Sequence, residues 1–251
     1  MRATAKKAIK NLLGHFGWQR GVLRDAFDLQ RTFIQTKEPV VIDIGAHIGD
    51  VANLYRKLFP LASIHAFEPF PESFEILSKR VTGDSRIFCH NKAVNDKEGS
   101  ATLNSNIFSP TNSLLASDER GSSFWGEGLL DTTSQVEVAT TTVDIFCRDT
   151  GISHIDILKM DVQGAEYSVL TGAKEMLSNQ RVSLIYTEII MCPTYKGQHP
   201  LHEYLSLLDS FGYYFLDFFN QVRIHDQLVQ ADVLFLSFPF RKDVEQRLWN
   251  I

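Results

Sequence analysis

Acidic side chains at the ends of apolar runs are the feature of this chain that calls for a chemical explanation. The stretch ILKMDVQGAEYSVL (157–170) begins like the middle of a sheet, then carries Lys159 and Asp161, turns at Gly164 and delivers Glu166. Glu188 closes a second apolar run, VSLIYTEI (182–189). Charges at the end of a buried strand are costly unless something pairs with them. Lys159 stands two residues before Asp161 and shares its face of the strand, so the two are expected to pair and to keep Asp161 ionised. Carboxylates so placed can orient or deprotonate a hydroxyl. Glu166 has a second reading as an acid favourable to the helix dipole after Gly164, and Glu188 as a surface acid. The three acids could also form a hard oxygen site for Mg²⁺. Nothing in their spacing requires one, and no metal is assigned.

Two further acids follow the same logic. VIDIGAHIGDV (41–51) places Asp43 just before Gly45-Ala46-His47-Ile48-Gly49. A dinucleotide-binding turn would read GxGxxG, with glycines that admit a pyrophosphate. The middle glycine is missing here, and Asp43 would repel a pyrophosphate. The loop better suits a ligand with no phosphate and some positive charge. S-adenosylmethionine is such a ligand, with a sulfonium, an ammonium, a carboxylate, a ribose and an adenine. Glu68 lies 19 residues past Gly49, near the offset at which an acid accepts hydrogen bonds from ribose hydroxyls. NAD enzymes share that offset, so Glu68 discriminates only together with Asp43.

These acids need a scaffold that brings strand ends together, and the hydropathy pattern supplies one. VVIDI (40–44), SIHAFEP (63–69) and RIFCH (86–90) read as strands separated by helices over 50–59 and from Pro71 through Val81. That βαβαβ order predicts a parallel sheet with right-handed crossovers. IDILKMD (155–161) and VSLIYTEI continue it, with a helical region EYSVLTGAKEML between them and a helix over 201–212. YYFLDFF (213–219) and ADVLFLSF (231–238) are close enough in sequence to pair antiparallel. ATL (101–103) and VEVAT (136–140) read as short strands, and TTVDIFCRDTG (141–151) as a capped helix. The Ser/Thr/Asn/Gly-rich stretch over 104–135, with the CPTYKGQHP segment (192–200), is expected to form a lid over an acceptor.

VVIDIGAHIGD, HAFEPFPESFEILSKR, NKAV, TTVD, LKMDVQGAEYSVLTGAKEML and IYTEI occur in this order. Together they resemble the FkbM-type methyltransferases, a branch of the class I S-adenosylmethionine-dependent fold, from about residue 38 to 238. The resemblance implies an α/β fold with a doubly wound, mostly parallel seven-stranded Rossmann-like sheet and an antiparallel C-terminal strand. It also implies S-adenosylmethionine as methyl donor and O-methylation of a sugar or secondary metabolite. By position, Asp43 and the turn Gly45, Ala46, His47 and Gly49 should face the methionine portion. Glu68, with Pro69 beside it, should hold the ribose, Phe67 or Phe70 should flank the adenine, and Asn91 and Ala93 should meet its edge. Asn91 reads equally well as a turn residue. Asp161 should face the transfer centre, and Asp161, Glu188 and His47, in that order, are candidates to take the acceptor proton. Two positions depart from the commonest family pattern: His47, where GAN is more usual and which would titrate near neutrality, and Gln163, where DxEG is more usual.

Composition bounds the rest. An apolar fraction of 44% and a charged fraction of 22% are those of an ordinary globular protein. The net charge of −5 gives no general attraction to nucleic acid. Cys89, Cys147 and Cys192 are sparse and unpaired in spacing, which fits a reducing, cytoplasmic compartment. Residues 1–37 read as a helical appendage, basic at its start, and 38–251 as the methyltransferase domain. Ile9, Leu12, Leu13 and Phe16 fall at helical spacing among Arg2, Lys6, Lys7 and Lys10, a pattern that packs on its own domain or lies on a membrane surface. No secretory signal or membrane span is legible. The expected partner is a small-molecule or glycan hydroxyl acceptor. Two rival readings stay open at this level: an NAD-dependent oxidoreductase and a non-catalytic cofactor-binding protein.

Overall fold

The computed structural model describes residues 25–249. Among the described residues there are ten strands: β1 (Val40–Ile44), β2 (Ser63–Phe67), β3 (Ile87–His90), β4 (Ala93–Val94), β5 (Gly99–Asn106), β6 (Thr132–Thr141), β7 (Ile155–Met160), β8 (Val182–Ile190), β9 (Tyr213–Ile224) and β10 (Gln227–Ser237). Seven form one sheet in the order β3-β2-β1-β7-β8-β10-β9. The pairs from β3 to β8 are parallel, and β10 runs antiparallel to both β8 and β9. This is the doubly wound architecture that the sequence implies. Strand β1 is central because Val41 to Ile44 are all buried, as a strand covered on both faces requires.

The helices are α1 (Ala26–Phe33), α2 (Asp50–Leu58), α3 (Pro71–Arg80), α4 (Ser122–Trp125), α5 (Val143–Thr150), α6 (Glu166–Thr171), α7 (Lys174–Ser178), α8 (Leu201–Ser210) and α9 (Phe238–Val244). Alternation along the strands divides the core between the two sheet faces. Ile42, Ile44, Leu158 and Met160 belong to one buried cluster with Phe146, Val169 and Tyr204. Val41, Ile64, Ile157 and Leu184 belong to the other, with Tyr55 and Phe59 of α2 and its C-cap. Helix α1 joins this second cluster through Ala26 and Phe33, and its buried Gln30 accepts a hydrogen bond from the Tyr55 hydroxyl (2.9 Å). The basic stretch before residue 25 lies outside the described residues.

The structure departs from the sequence reading in three places. The helical region after Gly164 is two short helices that part at Gly172, where a Cβ would stand 2.1 Å from the Asn95 carbonyl oxygen. The short strands near 101 and 136 are long partners, β5 and β6, that form a separate sheet with β4. Helix α9 and strand β4 were not anticipated. None of the described helices is long and apolar enough to cross a membrane.

Strand order reverses between β1 and β7: from β1 the chain moves outward to β2 and β3, then returns on the other side at β7. The crevice that opens at the carboxyl ends of strands flanking such a reversal is where open α/β sheets bind ligands.

Candidate active site

The floor of the crevice is a buried ion pair. In the β1–β7 register Asp43 stands opposite Lys159, and Lys159 Nζ lies 2.9 Å from Asp43 Oδ1 with both side chains almost wholly buried. The sequence reading paired Lys159 with Asp161 instead; adjacent parallel strands place registered side chains side by side, and that cross-strand neighbour takes the ammonium. Lys159 also donates to the Gly45 carbonyl (2.8 Å), so one cation braces both the acid and the turn after it. Burial works to lower the Lys159 pKa, but Asp43 and Asp161 outweigh it and the pKa is raised. Gly45 is required for packing: it has φ +75, and a Cβ would fall 1.8 Å from the Asp161 carbonyl oxygen.

Above this floor lies a cleft at the carboxyl ends of the strands. Its walls come from Gly45 and His47 of the first turn, Phe67 to Pro69 at the end of β2, Lys92 to Val94 around β4, Ser109, Pro110 and Asn112 to Leu114 of the long loop, and Asp161 to Gln163. Glu68 is 7% exposed. Its Oε2 accepts from the His47 backbone N–H and its Oε1 from that of Phe70, each at 2.8 Å. Burial nevertheless pushes its pKa up to about 7 against those two bonds. The His47 ring contacts the lid at Ser109 Oγ (3.1 Å). Its pKa is lowered, chiefly by burial, with Asp161 opposing. Burial thus favours the neutral imidazole.

A second cleft adjoins the first and shares Pro110, Asp161 and Gln163 with it. Its other walls include Phe108, Trp125 and Leu129 of the lid, Tyr195, Glu188 and Gln230. At the junction, oxygens of Asp161, Glu166 and Glu188 lie within 4.8 Å of one another. Gln163 Nε2 stands between two of them, donating to Asp161 Oδ1 and Glu188 Oε2 at 2.8 Å each. Gln230 Nε2 donates to Glu188 Oε1. Glu166 Oε1 accepts the N–H groups of Val162 (2.8 Å) and Gly164 (3.3 Å). Burial pushes Glu166 up to about 7; burial, then Asp161 and Glu166, raises Glu188 well above the carboxylate range. Both Glu188 oxygens are thus occupied, whereas Asp161 Oδ2 has no hydrogen-bond partner among the described residues. The triad has the oxygen chemistry of a hard-cation site, and the Gln163 amide supplies a positive pole between two of its members.

A family model described as the methyltransferase FkbM domain matches residues 43–215. The chain is 31% identical over 194 residues to the 2-O-methyltransferase NoeI of Sinorhizobium fredii, an alignment covering 72% of this chain and 75% of that protein. This chain belongs to the FkbM methyltransferase family. It is also 27% identical over 162 residues to methyltransferase sdnD of Sordaria araneosa, covering 55% of this chain and 61% of that one. Among solved structures, an rRNA methylase from Streptococcus thermophilus shares the fold at 11% identity with a TM-score of 0.50, over 86% of this chain and 99% of the other. An FkbM methyltransferase from Methylobacillus flagellatus aligns at 14% identity and a TM-score of 0.49, over 81% of this chain and 45% of that one. The chain therefore spans less than half of the Methylobacillus protein.

Within this FkbM domain, Gly45, His47, Glu68, Pro69, Ala93 and Asp161 line the first cleft, as does Phe67. Asp43 and Ala46 are buried beneath it, and Gly49 begins α2 behind it. Asn91 is not a lining residue: its Nδ2 donates to the Glu68 and Pro69 carbonyls (2.9 and 3.1 Å), which fixes the strand end, the turn role that sequence left open. Phe70 packs instead with Ala93, Leu103 and Val138. Gln163, Tyr195, Trp125 and Gln230 were not named as site residues from sequence. Gln163 carried a signal, as a departure from the family pattern.

Glu68 makes a pH prediction. An unfolded glutamate titrates near about 4.3, whereas folded Glu68 holds its proton to about 7. Between those values the folded protein binds more protons than the unfolded one, so stability falls as pH rises through that window. Thermal unfolding of ligand-free Glu68→Gln should show a flatter pH dependence, its stability relative to wild type improving from pH 5 to pH 8 by on the order of 2 kcal/mol. Parallel curves would show that Glu68 does not titrate there.

Proposed function

We propose that this protein is an S-adenosylmethionine-dependent O-methyltransferase whose acceptor is a sugar hydroxyl. The observation that carries the reading is the meeting of two clefts at Asp161 and Gln163, with Glu68 in one and an aromatic wall in the other. The first cleft fits the donor by chemistry. Glu68 offers a carboxylate to a ribose diol, Phe67 an apolar face, and Asp161, where the two clefts meet, a carboxylate suited to a sulfonium. When bound, the donor supplies an electrophilic methyl group.

The chain's own residues then do the remaining work. Asp161 Oδ2 accepts the hydrogen bond of the acceptor hydroxyl and turns its lone pair toward the first cleft. Holding the reacting atoms in line supplies much of the acceleration in such a displacement. The hydroxyl proton passes to the carboxylate as the oxygen attacks. Trp125 and Phe108 present ring surface to the acceptor, Tyr195 walls the same cleft, and residues between 108 and 114 line both clefts. The name of the relative NoeI, a 2-O-methyltransferase, supports oxygen as the atom methylated.

A radiolabelled-methyl transfer screen over free mono- and oligosaccharides tests the acceptor class. Transfer is expected to some sugars and to none of their fully O-methylated derivatives. Transfer to amine-bearing or nucleic-acid acceptors alone would overturn it.

A further inference from the structure

Gln163 occupies a position that no single neighbour explains. Its backbone is left-handed at φ 57, a conformation that disfavours a side-chain-bearing residue unless the surroundings hold it. The surroundings do hold it. Its carbonyl oxygen accepts from Ser113 Oγ of the lid (2.7 Å). Its side-chain Oε1 lies 3.1 Å from the Tyr195 hydroxyl, which in turn donates to the Thr111 carbonyl of the lid (2.9 Å). Its amide nitrogen spends both hydrogens on carboxylates, one on Asp161 and one on Glu188. Gln163 also lines both clefts.

We propose that Gln163 is the positioning residue of the acceptor site, holding Asp161 and Glu188 together and tying that pair to the lid. The idea rests on the acceptor reading above. The amide nitrogen cancels repulsion that two neighbouring carboxylates would otherwise feel in a poorly solvated place. It also occupies Asp161 Oδ1 and so leaves Oδ2 as the oxygen that meets the acceptor. Ser113 holds the Gln163 backbone carbonyl and Tyr195 links the Gln163 side chain to Thr111, so seating of the lid and aim of the carboxylate go together. A glutamate at this position, the residue more usual in the resembled pattern, would add a fourth carboxylate to Asp161, Glu166 and Glu188. The other charged or titratable groups facing the cluster are Lys159, Asp232, His47 and Tyr195. Lys159 is already committed to Asp43.

The test compares Gln163→Glu and Gln163→Met with wild type by thermal unfolding at pH 5.5 and pH 8. Both variants keep the backbone contact to Ser113 and approximate the side-chain length. If the amide serves the carboxylates, each variant loses more stability at pH 8 than at pH 5.5, by at least about 3 °C in Tm. Equal losses at the two pH values would mean that Gln163 only packs, and would overturn the proposal. With a sugar from the transfer screen, kcat should fall at least tenfold in Gln163→Met, and the acid limb of the Gln163→Glu rate profile should move to higher pH. An unmoved limb with intact kcat would also overturn it. Wild-type binding of S-adenosylhomocysteine is measured alongside. Its absence would remove the function proposed above, whereas its presence with pH-independent losses would remove the Gln163 role alone.

Discussion

Lys159→Met should cost about 3–5 kcal/mol of folding stability, the usual result of stripping one partner from a buried charge pair. The substitution keeps most of the side-chain volume, so the loss measures electrostatics more than packing. It leaves Asp43 wholly buried, facing a methyl group where an ammonium stood at 2.9 Å. It also takes a hydrogen bond from the Gly45 carbonyl, which loosens the turn that walls the first cleft. Adding Asp43→Leu should recover most of the loss, because the uncompensated charge is then gone. Urea unfolding of the single and double variants reads this directly as a cycle. A single-variant cost below about 1 kcal/mol, typical of an exposed pair, would show that the pair is solvated and not the brace described.

Asp161→Asn should lower kcat/KM about 10²- to 10⁴-fold, the span associated with losing a positioned proton acceptor. The amide approximates the shape of the carboxylate but accepts a proton far more weakly. Glu188→Gln should lose less, because both Glu188 oxygens are already taken by Gln163 and Gln230. That ranking separates a residue that touches the acceptor from one that supports it. Equal losses in the two variants, measured with one sugar acceptor, would contradict it.

Much of this was legible in the chain because strand ends announce themselves. Asp43, Glu68, Asp161 and Glu188 each close an apolar run, and the topology gathers such ends at one edge of the sheet. The charge pairing was not legible. Spacing of two places Lys159 and Asp161 on one face but says nothing of the strand alongside, and the β1–β7 register that hands Lys159 to Asp43 is non-local. Gln163 was visible only as a departure, since its role needs Glu188 from β8 and Tyr195 from the segment beyond it. Asn91 stayed ambiguous for a related reason. A polar residue after a strand can face the ligand or brace the turn, and here its amide is spent on two carbonyls. Phe108 and Trp125 are apolar groups in a polar loop, and the cleft they wall forms only when β8 and β10 lie alongside.

The central claim is that the cleft beside β1 and β2 holds S-adenosylmethionine with Glu68 on the ribose. Calorimetric titration with S-adenosylhomocysteine tests it most directly, because it needs no acceptor. The account predicts one-site binding to wild type, weakened at least about tenfold, roughly 1.4 kcal/mol, in Glu68→Ala, with NADH giving no comparable heat. Absence of binding to the folded wild-type protein, or full affinity in Glu68→Ala, would contradict it.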